Sequence, residues 1–569
     1  MMIRAREVPE SAYRGLTAAG MDPILARIYA ARGVASTEAM ANDLEGLIAP
    51  GSLAGMNQAI RLLEEAIDSN ASVCIIADYD CDGASACAVA VRGLRMFGLR
   101  VDYLVPNRRE HGYGLTPPIV ELALRHPRLG RPDLLITVDN GIASHEGVAA
   151  ARAAGLKVLV TDHHLPASTL PAAHAIVNPN QPGCMFPSKH LAGVGVMFYV
   201  LAALRSHLRL TRPDHGGAAA PVAALLDLVA LGTVADVVRL DENNRRLIQA
   251  GLKRIRNGRG CAGIRALMLV AGRDCNNTSV TDLGFTVGPR INAAGRLSDI
   301  SLGIACLLSD DESESAKLAA ELDGINRERR EIEQTMREQA FETVGAPDPD
   351  SLCVVASDRR WHEGVVGLVA SQLKSQFSRP AFAFAPAADG RQWRGSGRSV
   401  AGVHLRDALD LVSKRAPSLI TRFGGHAMAA GLTLADDQIE TFRQLLNDVL
   451  ADTIDPACLK SEWITDGELD PENISARLVL AIQEQVWGQG FPEPTFHCRL
   501  RTASQRRVGE RHLKLELASG SRRYPAIAFG RDEPAPAEAV YVYRPAFNDY
   551  RGQRTVQLVI EAIIEHGTI

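Results

Sequence analysis

Three carboxylates two residues apart, Asp78, Asp80 and Asp82, close a short apolar run from Val73 to Ala77 and are followed by Gly83. Acids this dense repel one another unless something positive sits between them. A hard divalent cation held by oxygens is the simplest neutraliser. The spacing fits the opening of an EF-hand loop, but position 12 of that loop requires a bidentate Glu and Val89 stands there. Asp80-Cys81-Asp82-Gly83 also fits the strand end of a haloacid-dehalogenase-like phosphatase, with Asp80 as a covalent nucleophile. A two-metal phosphoesterase is the third reading, and it needs further acids and a histidine at later strand ends. A solvated acidic turn is the plain alternative.

The elements that must position these acids repeat along the chain. Val73–Ala77 reads as a buried strand, being short, β-branched and closed by a glycine. Small residues after Gly83 predict a close-packed helix to about Phe97, then a strand from Val101 to Val105. The loop from Pro106 to Gly114 is basic and glycine-rich, which suits an exposed turn or a phosphate contact equally. Leu134–Val138 is a second buried strand and ends in Asp139-Asn140-Gly141. Val158–Thr161 is another and ends in Asp162-His163-His164. Leu225–Val234 reads as a further strand, closing on Ala235-Asp236. The pattern of strand, acidic tip and helix predicts an α/β fold with a doubly wound parallel sheet, whose ligands lie at the carboxyl ends of the strands.

Composition bounds the rest. A chain of 569 residues is too long for one core, and 46% hydrophobic with 22% charged residues is ordinary for a globular protein. A net charge of −4 gives no global nucleic-acid signature, although an acidic metal site can offset a local basic groove. The ten cysteines form no Cys-x-x-Cys pair, and Cys74, Cys87, Cys306 and Cys353 lie in apolar runs, as reduced core thiols of a cytoplasmic protein would. No apolar segment follows the arginines of Met1–Glu10, and no run is long enough to span a membrane, so neither a signal peptide nor membrane insertion is expected.

Residues 1–70 read as a helical segment. Ser309, Asp310, Asp311 and Glu312 cap one long helix running to about residue 345, with Leu318, Leu322, Ile325, Ile332 and Met336 on one face. Pro and Asp between Gly345 and Asp350 mark a boundary. A second α/β lobe then starts with the strand Leu352–Ser357 and holds Gly395-Ser396-Gly397-Arg398 and a Gly424-Gly425-His426 turn. Glycine turns of this kind let backbone amides approach an anion. From about 456 to 569, five short alternating strands (Phe496–Leu500, His512–Leu517, Tyr524–Phe529, Val540–Tyr543 and Thr555–Ile560) predict an OB-like barrel. Arg499, Arg501, Arg506, Arg507, Arg511, Arg522 and Arg523 interleave there with Tyr524, Phe529, Tyr543 and Phe547, as on a single-strand platform. Aromatics in the core under a solvated arginine rim would leave the same pattern.

Taken in order, Asp78-Tyr79-Asp80-x-Asp82-Gly83, Asp139-Asn140-Gly141, Asp162-His163-His164 and Gly232-Thr233-Val234-Ala235-Asp236 resemble the four motifs of the DHH phosphoesterases. Gly288–Arg296 is similar to a further motif of the family's exonuclease branch. Trp361–Gly367 and Gly424–Gly431 resemble its associated DHHA1 domain. The resemblance covers nearly the whole chain. It implies a DHH domain at 71–308, a connector helix at 309–345, a DHHA1 substrate-binding domain at 346–455 and the OB-like domain at 456–569. It further implies 5′→3′ hydrolysis of single-stranded DNA to mononucleotides in repair and recombination, with two divalent cations, Mn²⁺ or Mg²⁺. The implied ligands are Asp80, Asp82, Asp139, His163 and Asp236, with Asp139 and Asp236 bridging and Asp78 positioning a water or a ligand carboxylate. His164 would donate to the scissile phosphate, and Arg290, Asn292 and Arg296 would neutralise its neighbours. Arg108, Ser396, Arg398, Gly425 and His426 would hold the 5′-terminal part of the strand in a cleft between lobes. A RecQ-type helicase and a single-stranded-DNA-binding protein are the implied partners. Many relatives carry a metal-binding histidine where this chain has Ile76, which would leave the first metal site a ligand short. Two alternatives stay open: a DHH phosphodiesterase of short oligoribonucleotides or cyclic dinucleotides, and a non-catalytic replication scaffold.

Overall fold

The computed structural model describes every residue except 1, 41–42, 107–111, 347, 349, 388–389, 460–461, 510–511, 532, 551–552 and 566–569. The chain forms two units: Ala5–Ile325 with Thr465–His566, and Asn326–Ile464 with the extreme terminal residues.

The first unit is built on five parallel strands in the spatial order Arg100–Leu104, Ser72–Ala77, Leu134–Val138, Lys157–Thr161 and Ala175–Val177. Every residue of Ser72–Ala77 and of Leu134–Val138 is buried, as expected when helices cover both faces of a parallel sheet. Alternation divides the side chains between two cores. Val73, Ile75 and Ala77 pack with the helices Cys81–Met96 and Gly193–Thr211, while Cys74 and Ile76 pack with Pro117–Leu124 and His145–Ala153. The strand order reverses about Ser72–Ala77, because Arg100–Leu104 lies on one side of it and Leu134–Val138 on the other. Ligands of open α/β sheets bind at such a reversal, and the two strand tips that meet there carry Asp78 and Asp139.

Leu225–Val234, expected as a strand, is instead the helix Leu226–Ala235 after a short turn Val222–Leu225. A short, fully apolar run has no period to separate a buried strand from a buried helix. This one is enclosed by the helices Cys81–Met96, Gly193–Thr211 and Glu242–Arg256, so it needs no polar face. Asp236 therefore caps a helix rather than ending a strand. The N-terminal segment is helical over Glu10–Ala18, Pro23–Ala30 and Met56–Asp68, but it begins with a strand, Met2–Ala5, paired to Glu462–Thr465.

The same unit contains the expected barrel. Phe496–Val508, His512–Ser519, Arg522–Phe529, Glu538–Tyr550 and Gln553–Ile564 close on one another, with Arg522–Phe529 and Gln553–Ile564 parallel. Tyr543, expected on a binding surface, is fully buried and donates its hydroxyl to Leu469 O. Phe529 is 61% exposed. Arg499, Arg501 and Arg506 lie on the outer face with Lys514, whereas Leu500, Leu513, Leu515 and Leu517 point inward. Arg511 lies outside the described residues.

In the second unit, the strands Ile420–Gly425, Ala429–Ala435, Gln392–Arg398, Ala381–Pro386 and Val354–Ser357 form one mixed sheet in that order. Gly424 and Gly425 end a hairpin strand, and His426 N closes the expected turn on Ala429 O. The long helix is Glu312–Val344, capped by Asp311 through Glu314 N. Among the described residues, no helix is long and apolar enough to cross a membrane.

Candidate metal centre

Each acid is placed by a local device. Asp80 caps the helix Cys81–Met96, its Oδ1 accepting from Asp82 N at 2.9 Å and Gly83 N at 3.0 Å. A side chain at Gly83 would put its Cβ 2.6 Å from Asp78 O, so only glycine lets the turn close. Asp139 follows its strand in a left-handed conformation, φ 62°, which a non-glycine residue adopts at a cost of about 1 kcal/mol or more. Asn140 ties the two tips together, its Nδ2 donating to Ile76 O at 3.0 Å and Val138 O at 2.9 Å. Asp236 ends the helix Leu226–Ala235.

These devices converge. His163 Nε2 lies 3.1 Å from Asp139 Oδ1 and 3.5 Å from Asp236 Oδ2. All three atoms are buried, and none has a hydrogen-bond partner among the described residues. Burial, and secondarily His164, depress the His163 imidazole to about 4, so at neutral pH it is an uncharged lone-pair donor. Burial, then repulsion from Asp82, Asp80 and Asp78, raises Asp139 and Asp236 well above the usual carboxylate range. An orphaned imidazole nitrogen facing two orphaned carboxylate oxygens is the donor set a hard or borderline divalent cation takes. Asp78, Asp80 and Asp139 form a second set of donor atoms within 4.8 Å of one another, and Asp139 also groups with His163 and His164.

Asp82 is held differently. Its Oδ2 accepts from Gly193 N at 2.6 Å and its Oδ1 from Val194 N at 3.1 Å, at the start of the helix Gly193–Thr211. It also lies within 4.8 Å of His163 and Asp236 donor atoms. Ile76 belongs to the apolar cluster on the opposite face of the sheet, with Cys74, Leu115 and Ile119. The candidate donor groups contain no atom of it.

Asp162 is the group the motif reading left without a role. Its Oδ1 accepts from His163 N, His164 N and His164 Nδ1, and its Oδ2 from Ile142 N. Burial opposes a charge on His164, but the hydrogen bond and attraction of Asp162, helped by Asp78 and Asp80, push it up to about 9. One histidine of the pair is thus neutral and the other cationic, set by their environments. Asn178 and Asn180 fix both histidines by donating to His164 O and His163 O. Tyr113, 45% exposed, meets Tyr79 and His164 edge to face at ring distances of 5.9 and 6.1 Å.

Other expected contacts are placed elsewhere. The Arg290 guanidinium is buried, donates to Asp323 (Nε to Oδ1 3.0 Å) and Thr286 O, and braces the helix Gly288–Leu297. Asn292 Oδ1 accepts from Cys81 N at 2.7 Å and secures the acidic turn. Arg296 is half-buried on the same helix. Arg108 lies outside the described residues. In the second unit, Arg398 donates to Ser396 Oγ at 3.0 Å and Gly397 O at 2.9 Å, has no acidic partner among the described residues, and is held below its usual range by burial. Gly367 lies against both side chains, 3.1 Å from Ser396 Oγ and 2.9 Å from the guanidinium as measured from a Cβ position. Gly425 (φ 139°) is two strands away in the same sheet.

The chain matches the model of the DHH family N-terminal domain over residues 72–233, the DHHA1 domain over 350–452 and the RecJ OB domain over 465–562. It is 44% identical over 584 residues to the single-stranded-DNA-specific exonuclease RecJ of Escherichia coli (strain K12), covering 99% of both chains. It is 32% identical over 508 residues to the protein of the same name from Thermus thermophilus, covering 88% of this chain and 70% of that one. The crystal structure of RecJ in complex with Mn²⁺ from Thermus thermophilus superposes with a TM-score of 0.82 at 29% identity, over 100% of this chain and 81% of that one. The Mg²⁺ complex gives 0.76 at 27% identity, over 99% and 78%. With its three family domains in order and this identity along its whole length, the chain belongs to the RecJ family of DHH phosphoesterases.

Proposed function

We propose that this protein is a divalent-metal-dependent exonuclease that degrades single-stranded DNA from the 5′ end to mononucleotides. The observation that carries the reading is the convergence of three buried, partnerless atoms, Asp139 Oδ1, His163 Nε2 and Asp236 Oδ2, in a chain so close to single-stranded-DNA-specific exonucleases. Asp78, Asp80 and Asp139 lie together as one candidate ligand set and Asp82, His163 and Asp236 as another, with His163 also facing Asp139. Asp82, whose two oxygens also receive backbone amides, fixes the helix Gly193–Thr211 against the site as well. Asp78 thereby joins the ligands expected. Mn²⁺ or Mg²⁺ there would supply an ionised water and neutralise charge at the scissile phosphate. His164, kept cationic by Asp162, donates to a phosphate oxygen and stabilises the charge that develops on it. Arg398, with Ser396 on the same strand and His426 in the turn of that sheet's hairpin, is the contact for a terminal phosphate.

Arg499, Arg501, Arg506 and Lys514 on the outer barrel face, with exposed Phe529, suit a strand bound by phosphate contacts and stacking. We assign catalysis to 71–308, terminal-phosphate binding to 346–455 and strand binding to 456–569, with the connector helix at 309–345. All ten cysteines are free, which suits a reducing cytoplasm. A RecQ-type helicase and a single-stranded-DNA-binding protein are partners suggested by the family resemblance alone.

The test is digestion of a single DNA strand labelled at either end, with Mn²⁺ or Mg²⁺, beside its duplex and its RNA equivalent. Mononucleotide release from the 5′ end of the single DNA strand is expected. Activity confined to short RNA or cyclic dinucleotides would replace this reading with the small-substrate one.

A further inference from the structure

Asp236 is followed by Val237 in a left-handed conformation, φ 60°. Helices commonly end on such a residue, but glycine usually fills the position, because a β-branched side chain crowds the backbone there. Val237 is 64% exposed, so burial of its own side chain does not hold the conformation. Something further along must.

The segment leading into the barrel supplies that hold. Leu240 N donates to Gln489 O at 2.7 Å. Gly488 and Gly490 lie so close that added side chains would bring Cβ atoms 2.6 Å from Leu240 Cδ1 and 2.5 Å from Arg239 Cγ. Gly488 and Phe491 close the segment into a tight turn by exchanging backbone hydrogen bonds of 2.9 and 3.0 Å. Phe491 stacks on Trp487 at 5.1 Å and 12°, Trp487 stacks on Tyr29 at 5.9 Å and 10°, and the Arg245 guanidinium lies 4.1 Å from the Phe491 ring centre. An aromatic column rooted in the N-terminal helices therefore grips the residues just after Asp236.

We propose that the segment 487–491 is a clamp that forces Val237 into its left-handed conformation and so aims the Asp236 carboxylate at His163 and Asp139. Phe491 and Arg245 are then positioning residues for the metal centre, acting through the backbone of 237–240. The inference rests on the two-metal reading above. It makes the acid that comes from a helix end, and not from the rigid sheet, depend on the barrel's lead-in for its aim.

The experiment is titration of Mn²⁺ into the full-length protein, with free Mn²⁺ read by electron paramagnetic resonance and folding followed by circular dichroism. F491A is expected to bind the weakest-held ion about tenfold less tightly, the range typical of lost support behind a metal ligand. F491A/V237G is expected to recover most of that loss, because glycine takes the left-handed conformation without a clamp. R245M, which leaves the aromatic column intact, weakens binding in the same direction and carries the test if F491A lowers the folded fraction. Unchanged affinity in a folded F491A or R245M, or no recovery in the double variant, would overturn the clamp. Absence of Mn²⁺ binding by the unaltered chain would overturn the metal reading itself, and this inference with it.

Discussion

Gly193 offers the sharpest test of how the centre is built. It is the first residue of the helix Gly193–Thr211, and its amide reaches Asp82 Oδ2 at 2.6 Å. A methyl group there would lie 2.5 Å from both Asp139 Cβ and Asp139 Oδ1, where ordinary carbon contacts need about 3.5 Å or more. Asp139 or the helix start must therefore move by about 1 Å in G193A, since neither is the far end of a flexible side chain. Overpacking of this kind costs about 1–3 kcal/mol of stability, and a 1 Å misplacement of a reacting constellation costs about a hundredfold in rate. The control is G195A, two residues on, whose new methyl meets only Leu191 Cδ2 at 3.2 Å, a side chain able to rotate away. The assay is kcat on a single-stranded oligonucleotide in saturating Mn²⁺, with thermal midpoints of both variants. G193A is expected to lose about two orders of magnitude in kcat, while G195A stays close to the parent. A G193A enzyme within twofold of the parent would refute the reasoning that Asp139 is held by this close approach.

Three further outcomes follow from the same geometry. Without metal, Asp78 and Asp82 are raised by burial and then by repulsion from Asp80, to about 8 and about 7, and His164 stands at about 9. Each group binds its proton more tightly folded than unfolded, so stability must fall as pH rises from 6.5 to 8; thermal melts in chelator should show that fall and melts in Mn²⁺ should not. R398A should raise KM for a 5′-phosphorylated strand about tenfold or more with kcat little changed, because a charge-assisted contact is worth about 1.5–3 kcal/mol; competition by a 5′-hydroxyl strand would show whether the phosphate is what is no longer held. R501Q/R506Q should weaken single-strand binding uniformly across sequences and flatten the salt dependence by about 0.7 for each phosphate no longer neutralised, as measured by fluorescence anisotropy between low and moderate salt.

Much of this protein is written locally. The run Val73–Ala77 and the acids behind it announce a buried strand with a charged tip, because its shortness, its β-branched residues and the abrupt change from apolar to acidic are properties of adjacent residues. The same holds for Asp139 and for Asp162-His163-His164, for the cap at Asp311, and for the alternating strands that close into the barrel. What local pattern could not assign is the partner of each group, since partners come from distant positions. Nothing near Arg290 in the sequence pointed to Asp323 as its partner. That the two oxygens of Asp82 also receive the amides of Gly193 and Val194 was not assigned, although the Gly-Val-Gly at that helix start was a legible sign of close approach. Tyr543 read as a platform residue and is core. Leu226–Ala235 read as a strand because an apolar run that is buried all round carries no period, and only the three helices around it decide its form. The order of residues was enough to set the acids, the histidine pair and the alternation that carries them to the tips of a parallel sheet. Folding in three dimensions decided which backbone amides and side chains surround each acid, because partners such as Gly193 and Val194 for Asp82 come from more than a hundred residues away.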